Sequence, residues 1–489
     1  MNELEKILNI DFPKDTIKVS FATNSSHKVK KNSIFFGLPG INNHGSKFCK
    51  NAIELGASVA VHNDAKFKTE DKNIFYIEDL EEKILFFLNA LYKVDVNSNN
   101  FFAFTGTNGK TSSAYLCHQL LINQGYDSLY IGTLGVQFNQ EKMNTTFSSK
   151  TTPDIFELFN MLDHYRSVDS VNICIEISSH ALDQRRLQNI GWLNSTSILN
   201  ITNDHMDYHK TFTAYMDAKF EIFRFKSSIK LIDDKSYKYK DSYEFVKNSN
   251  YKLSVISKKN QFSDIFYQIK KISTKKTIFE IFIKKSLFGY GNKDKKKYSF
   301  SCNIFPEFNI HNLVFAICSI GFDKFFENQI NDLAFLKLPK GRSEIIKNIP
   351  TNIIIDYAHN HEAINYFLSS IKKYYENLVV IMGCGGDRDK SKRSMMLSAA
   401  LENSSKVIFT SDNSRSEDFE DIFKDASKNN NTQNVVKIKD RKEAIIFATK
   451  EISNNDCLVI LGKGHEETQE ENDEIKFFSD HEVINEIYK

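Results

Sequence analysis

Residues 105–111 read Thr-Gly-Thr-Asn-Gly-Lys-Thr, directly after the apolar run Phe101–Phe104. A strand that ends in a Gly-rich turn and continues as a helix, here Ser112–Ile122, directs backbone N–H groups and a helix N-terminus at an anion. Gly106, Thr107, Asn108, Gly109, Lys110, Thr111 and Ser112 would form that cradle. Lys110 can reach the outer phosphates of a nucleotide, and the Thr111 hydroxyl can help to hold magnesium. The run is a contracted form of the pattern GxxxxGK[ST], two residues shorter between its glycines. A chance Gly-Lys-Thr on a surface loop would lack this strand–turn–helix setting. The pattern therefore points to ATP.

Two more polar runs follow predicted strands. Glu176-Ile177-Ser178-Ser179-His180 ends Val171–Ile177, and Asn200–Asp207 ends Ser197–Ile201. Glu176 and His205 near a phosphate loop can hold magnesium. A buried structural Glu176, and a His205 that caps a local turn, account for the same residues equally well. Lys219 lies in the helical stretch Ala214–Phe220 and by itself reads as a surface lysine. Farther on, three loops follow strands: Gly383–Lys390, Thr410–Glu417 and Gly462–Glu466. Arg388 and Arg415 can bind carboxylates and Glu466 an ammonium, a set suited to a zwitterionic amino acid. Salt-bridged surface turns are the bland alternative, but three such loops in one segment weigh against it.

The elements that must position these residues are legible in outline. Residues 1–82 read as a small α/β unit, with strands Ser33–Leu38 and Ser58–His62, the helix Phe48–Leu55 between them and Gly56 ending it. Glu81–Tyr92 reads as a helix leading to the nucleotide turn, within a second unit, 83–334. Residues 225–300, rich in Lys, Tyr and Ser, read as edge strands and surface turns of that unit, with Ile278–Ile283 strand-prone. The Lys run at 292–297 reads as a solvated surface. Pro339–Gly341 marks a junction to a third unit, 335–489, where Ile353–Ile355, Val379–Met382, Lys406–Thr410 and Cys457–Leu461 alternate with helical patterns as in an open α/β sheet.

Composition sets the outer limits. At 489 residues the chain is too long for one ordinary core. With 41% hydrophobic and 13% aromatic residues it is not a disordered chain. Its 64 basic and 62 acidic residues leave a net charge of +2, which gives no case for nucleic-acid binding. Met1–Pro13 is acidic and amphipathic, so no signal peptide is expected, and no apolar run is long enough for membrane insertion. The seven cysteines are scattered without a CxxC pair, which predicts reduced thiols in a cytoplasmic protein.

Taken together, TGTNGKT, Thr151-Thr152-Pro153-Asp154, EISSHALDQRR, NITNDHMDYH, Asp356-Tyr357-Ala358-His359, GCGGDRDK and GKGHE resemble, in this order along the whole chain, the Mur ligases of peptidoglycan synthesis. The resemblance implies an α/β fold of three domains: a small UDP-binding domain, a central P-loop ATPase-like parallel-sheet domain and a C-terminal Rossmann-like domain. It implies that Ser26 meets the uridine nucleotide, although Ser25-Ser26-His27 lacks the acidic and arginine neighbours of the family motif. Thr151, Thr152, Ser178, Gln184 and Arg186 match residues that bind a muramoyl dipeptide. His205 and Glu176 match magnesium-linked positions. Asn309 and Asn312 match a segment that contacts adenine, with Pro306 in place of its usual glycine. Asp356 and His359 match residues by the ribose and phosphate, and Arg342 is expected to help anchor a closing third domain.

Lys219 changes meaning under the resemblance, matching a lysine that family members carbamylate with carbon dioxide so that it ligates a second magnesium. Arg388, Asp412, Asn413, Arg415, Gly462 and Glu466 match positions that recognise meso-diaminopimelate. Here the family's Asp-Asn-Pro-Arg signature reads Asp412-Asn413-Ser414-Arg415, which keeps the Arg and loses the prearranging Pro. Lysine-adding relatives lack that Arg, so diaminopimelate is favoured over L-lysine. The implied reaction activates the γ-carboxylate of UDP-N-acetylmuramoyl-L-alanyl-D-glutamate as an acyl phosphate, with Lys110 stabilising the transferring charge, and a monomer is expected. Rival readings are a folylpolyglutamate synthase, which would not need the UDP-binding domain, a ligase adding D-alanyl-D-alanine, which has no use for Arg415, and a non-enzymatic nucleotide switch. Lys110, His205 and Lys219 argue against the last.

Overall fold

The computed structural model describes residues 3–13, 19–40, 43–143, 151–165, 170–187, 190–243, 246, 253–284, 295–321, 331–472 and 474–489. By internal packing the chain falls into two units. One comprises Met1–Lys110, Cys117–Val255 and Ser319–Gly321, the other Thr111–Leu116, Ile256–Cys318 and Phe322–Lys489.

In the first unit, β1 (Phe21–Thr23), β2 (Ser33–Gly37), β3 (Ala57–His62) and β4 (Ile74–Tyr76) form a small parallel sheet. The helices Cys49–Glu54 and Leu80–Tyr92 appear within a residue or two of where the sequence pattern puts them. A larger sheet follows. Its strands are β5 (Asn100–Thr105), β6 (Ser128–Gly132), β7 (Gly135–Phe138), β8 (Glu141–Lys142), β9 (Asn172–Glu176), β10 (Trp192–Ile198) and β11 (Lys226–Asp233). Their order is β11-β10-β5-β9-β6-β7-β8. β10, β5 and β9 run parallel as neighbours, so the loops after them emerge at one edge of the sheet.

Two expectations need correcting. The strand expected at Ser197–Ile201 starts at Trp192 and ends at Ile198. Its residues 194–197 are polar, and Ser195, Thr196 and Ser197 are nevertheless fully buried. Thr196 Oγ1 meets Ser227 Oγ at 3.1 Å and Ser197 Oγ meets Ser319 Oγ at 3.1 Å, so hydroxyl pairs replace the apolar alternation that marks a strand. Nor are residues 225–300 edge strands and surface turns. β11 lies against β10 with Leu231 and Ile232 fully buried.

In the second unit, β13 (Ile265–Lys271), β14 (Thr277–Lys284) and β15 (Lys295–Cys302) form an antiparallel meander, flanked by β12 (Leu253–Ser257) beside β13 and β16 (Asp332–Leu333) beside β15. Phe279, Ile281 and Ile283 of β14 are fully buried, while Lys284, Lys295 and Lys297 sit on the other face. Of the expected Lys run, 292–294 lie outside the described residues, and Lys297 pairs with Glu280 at 2.7 Å.

The rest of the second unit is a sheet covered on both faces. β17 (Glu344–Ile345), β18 (Asn352–Asp356), β19 (Leu378–Met382), β20 (Lys406–Phe409), β21 (Val435–Lys437) and β22 (Cys457–Leu461) take the order β17-β18-β22-β19-β20-β21, all parallel except β17. Alternate residues point to opposite cores. Val380, Met382, Val407 and Phe409 pack under the helices His361–Ile371 and Ser391–Asn403; Val379, Ile381, Ile408 and Ile460 pack under Arg441–Glu451 and Asp480–Ile487. A hairpin of β23 (Thr468–Glu471) and β24 (Glu474–Phe477) follows β22. Arg441 and Asp480, both fully buried, pair through two bonds of 2.7 and 2.8 Å, and Arg441 also donates to the Leu461 carbonyl. That fixes the end of β22, where the Gly462–Glu466 loop begins.

All seven cysteines are free and buried. Among the described residues no helix is long and apolar enough to cross a membrane. His118 is also fully buried, its Nε2 donating to the Asn139 carbonyl at 2.9 Å and its Nδ1 facing Ser128 Oγ at 2.8 Å. Burial pushes its pKa from 6.5 down to about 4. Between those two values the unfolded chain binds a proton that the folded chain refuses, so stability falls as pH drops from about 6.5 to 4. The loss attributable to this ring is of order 3 kcal/mol or less. Denaturant unfolding at pH 7 and pH 4.5 should show a smaller acid penalty for His118→Gln than for the parent; equal penalties would refute the assignment.

Candidate functional site

The first unit gathers its chemistry where β5, β9 and β10 end. After β5 the chain turns through Gly106–Gly109 into the helix Lys110–Asn123. The turn is stitched to the segment after β10. Thr107 N–H donates to Asn200 O, Thr107 Oγ1 donates to Thr202 O, and the Asn200 amide exchanges two bonds with the Asn108 backbone, all at 2.9–3.1 Å. Lys110 Nζ donates to the carbonyls of Gly106 (2.8 Å) and Thr107 (3.1 Å). A phosphate would offer that ammonium a charged and therefore stronger acceptor. Thr111 and Ser112 are buried in the first turn of the helix.

Lys219 is not on the surface. It is 1% exposed in the helix Phe212–Phe220, its Nζ 4.5 Å from the centre of the Tyr215 ring. The Tyr215 hydroxyl in turn meets Thr107 Oγ1 at 3.0 Å, which ties this helix to the phosphate-type turn. Burial, and then the charge of Lys110, push the Lys219 amine well below its ordinary pKa, with Asp204 opposing. Among the described residues it has no ion pair. His205 (φ +54°) begins the helix Met206–His209, its ring 5.0 Å from that of His180. Although its side chain is 46% exposed, desolvation of the ring outweighs the pull of Asp204 and takes its pKa down to about 4, so at neutral pH it is an uncharged imidazole with a lone pair to give.

Glu176 ends β9 and is fully buried. Its Oε1 accepts Tyr130 OH (2.5 Å) and Thr133 N–H (2.8 Å), and its Oε2 accepts Thr133 Oγ1 (3.2 Å). Gly132 is what makes room, since a Cβ there would lie 2.0 Å from Glu176 Oε1. The neighbouring residues form one network. Thr152 Oγ1 donates to the Glu176 carbonyl and accepts from Ser178 N–H. Arg186 donates to the Thr152 carbonyl and twice to Gln184 Oε1, and Thr133 Oγ1 reaches Thr151 Oγ1 at 3.5 Å. Thr151, Thr152, Ser178, Gln184 and Arg186 are thus together. Ser26 is half-buried at the start of the short helical turn Ser26–Lys28, whose Lys28 pairs with Glu157.

Among the described residues no group of three or more His, Cys, Asp or Glu side chains could hold a metal ion. An ammonium at Lys219 would oppose a second ion.

The second unit brings its own loops together. Asp356 Oδ2 accepts Ser343 N–H (2.6 Å), Oδ1 accepts Ala358 N–H (2.8 Å), and Arg342 lies over the Tyr357 ring at 4.4 Å. His359 is exposed, its ring 4.8 Å from that of Tyr357. Asn309 and Asn312 are buried in the helix Glu307–Ile320 and bonded to each other at 3.0 Å. The loops after β19, β20 and β22 converge. Glu466 Oε1 accepts Tyr357 OH, while its Oε2 accepts Asn413 Nδ2 and the fully buried Lys463 Nζ. Arg415 Nη1 donates to the Gly386 carbonyl at 2.7 Å. A Cβ at Gly385 would lie 3.2 Å from Arg415 Nη1 and 3.5 Å from Arg388 Cγ, so a side chain here would crowd both arginines. Gly462 abuts Asp412, a Cβ there coming 2.4 Å from Oδ2. Tyr130, Thr133 and Tyr215 take part without having been singled out in the sequence.

Three family models match the chain: the Mur ligase family catalytic domain over residues 18–88, the Mur ligase middle domain over 104–320 and the Mur ligase glutamate ligase domain over 341–464. The chain is 34% identical to the UDP-N-acetylmuramoyl-L-alanyl-D-glutamate–2,6-diaminopimelate ligase of Wigglesworthia glossinidia brevipalpis, covering 96% of this chain and 95% of that one. It is 32% identical to the enzyme of the same name from Clostridium perfringens, covering 99% and 96%. A solved structure of a ligase of that name is similar with a TM-score of 0.65 and 26% identity, over 99% of this chain and 98% of that one. A MurF ligase from Thermotoga maritima in complex with ADP shares the fold, with a TM-score of 0.59 and 15% identity over 92% and 95%.

Proposed function

The chain belongs to the Mur ligase family, and from that premise we propose that it joins meso-diaminopimelate to the D-glutamyl γ-carboxylate of UDP-N-acetylmuramoyl-L-alanyl-D-glutamate, with ATP converted to ADP and phosphate. It is an ATP-dependent amide-forming ligase of the three-domain fold; we assign its domains to 1–82, 83–334 and 335–489. The observation that carries the choice of amino acid is that Gly385 lies against both Arg388 and Arg415 while Asn413, from the same loop as Arg415, bonds Glu466, which gathers groups suited to a substrate with a second carboxylate.

The γ-carboxylate attacks the γ-phosphorus of ATP, and Lys110, freed from its loop carbonyls, follows the charge that grows on the transferring group. The Thr151–Arg186 network presents hydroxyls, an amide and a guanidinium to the muramoyl dipeptide, and Ser26 meets the uridine end. The amine of the incoming amino acid then adds to the acyl phosphate, and the tetrahedral intermediate expels phosphate. Magnesium held by Thr111, Glu176 and His205 would neutralise the polyphosphate. Asn309, Asn312, Asp356, His359 and Arg342 serve the adenosine and phosphate ends. A carbamate on Lys219, a monomeric state and a cytoplasmic location complete the proposal.

The test is product formation from purified protein, ATP, magnesium and the UDP-linked dipeptide, with meso-diaminopimelate and L-lysine supplied separately and product mass and phosphate release recorded. Product with diaminopimelate alone supports the reading. Product with lysine alone keeps the ligase and overturns the amino-acid assignment, and product with neither overturns both.

A further inference from the structure

The first unit holds a cavity of about 810 Å³. Small-molecule sites occupy roughly 300–1,000 Å³, so this one is large enough for a ligand. Among its described lining residues are none of those assigned to ATP, magnesium or the dipeptide, although Arg185 stands between Gln184 and Arg186 in the chain. Part of the lining is core: Ile177, Leu182, Leu187 and Ile190 are all buried. Trp192, the first residue of β10, is 40% exposed. Its register partner on β11 is Lys226, which puts the indole and the lysine stem on the same face of the sheet.

Charge at the cavity is one-sided. Arg185, Arg224 and Lys226 are set against Glu221 alone among the described lining residues, and Glu221 already pairs with Arg224 Nε at 2.8 Å. Arg185 and Lys226 are exposed, and among the described residues neither side chain has a hydrogen-bonded or ionic partner. The frame that carries these cations is fixed. Lys230 is buried, and its ammonium donates to the Phe223 and Phe225 carbonyls on either side of Arg224. Releasing it would leave a buried charge uncompensated, so the turn bearing Arg224 is held. Arg185 follows the helix Ser179–Asp183 with φ +51°, its N–H donating to the Leu182 carbonyl at 3.1 Å. Glycine is the usual residue for that conformation; here an arginine bears the backbone strain and brings a guanidinium to the cavity.

We propose that this cavity is a second binding site, for a small anion with a flat apolar body. The anionic group meets Arg185, Lys226 and Arg224, and the body lies on Trp192 and the apolar lining. A neutral hydrocarbon would leave the two unpartnered cations without a counter-charge, and a bare inorganic anion would leave the indole and the apolar wall in water. Only a ligand that carries both features satisfies both halves of the lining.

Trp192 is the chain's only tryptophan, so its emission reports on this cavity. The probe is 8-anilinonaphthalene-1-sulfonate added to the full chain, compared with N-phenyl-1-naphthylamine, which has the same rings and no sulfonate. The sulfonate should change Trp192 emission saturably with one site per chain, and it should bind at least about 10-fold more tightly than the neutral dye. Arg185→Glu combined with Lys226→Glu should weaken the sulfonate by about 10-fold or more, whereas Arg185→Lys combined with Lys226→Arg should keep its affinity within about threefold. Denaturant midpoints of the variants separate a lost site from a lost fold, and the comparison of the two dyes needs only the parent chain. Equal affinity for the two dyes would make this an apolar hollow indifferent to charge. Unchanged affinity in the folded Glu variant would put the probe elsewhere, and unchanged Trp192 emission would leave the cavity empty. Each of these results overturns the inference.

Discussion

Lys219→Ala should lose at least about 10³-fold in ligation rate, and Lys219→Arg should lose as much. The side chain is 1% exposed and faces the Tyr215 ring, and burial together with Lys110 favours its uncharged amine. An uncharged amine is the form that adds to carbon dioxide: the N–C bond forms, a proton leaves nitrogen for water, and a neutral group becomes an anion. Beside the phosphate-type turn that anion is a ligand for a divalent ion where an ammonium would repel one. Arginine keeps its proton under all such conditions and cannot take this route. The rate is read as phosphate release and product mass, and ¹³C-labelled carbon dioxide should give a carbamate resonance in the parent that Lys219→Arg lacks. Short carboxylic acids should restore part of the activity of Lys219→Ala. Full activity in Lys219→Arg would end the carbamate reading.

Arg415→Met should lower kcat/KM for meso-diaminopimelate about 100-fold and leave that for L-lysine unchanged or raised. Arg415 is the guanidinium that lies against Gly385, and its Nη1 is held by the Gly386 carbonyl. Without it the distal carboxylate loses this cationic partner at the loop, while a lysine substrate has no such carboxylate to lose. The readout is the ratio of the two kcat/KM values, which is insensitive to how much of the preparation is active. Parallel losses on both amino acids would show that Arg415 holds the loop rather than the substrate.

What the sequence revealed follows from how local the cause is. The turn after β5 was legible because phosphate chemistry demands particular residues at consecutive positions. The covered sheet of β18, β19, β20 and β22 was legible because two buried faces leave uninterrupted apolar runs. β10 was half missed because its buried positions carry hydroxyls, Thr196 meeting Ser227 of β11 and Ser197 meeting Ser319. Lys219 was misread from its own chemistry, yet a usable sign was present: Tyr215, Met216, Ala218 and Phe220 leave the helix Phe212–Phe220 little polar face, so a lysine there has nowhere wet to go.

The burial of every cysteine has a practical consequence. A thiol reagent cannot react with this chain unless the layer over a given sulfur opens, so the rate at which each cysteine is alkylated under native conditions measures the free energy of that opening. Cys49, Cys117 and Cys174 lie in the first unit, and Cys302, Cys318, Cys384 and Cys457 in the second. The chain thus carries its own set of seven clocks, distributed so that the breathing of one unit can be timed separately from that of the other, with no label introduced and no residue changed.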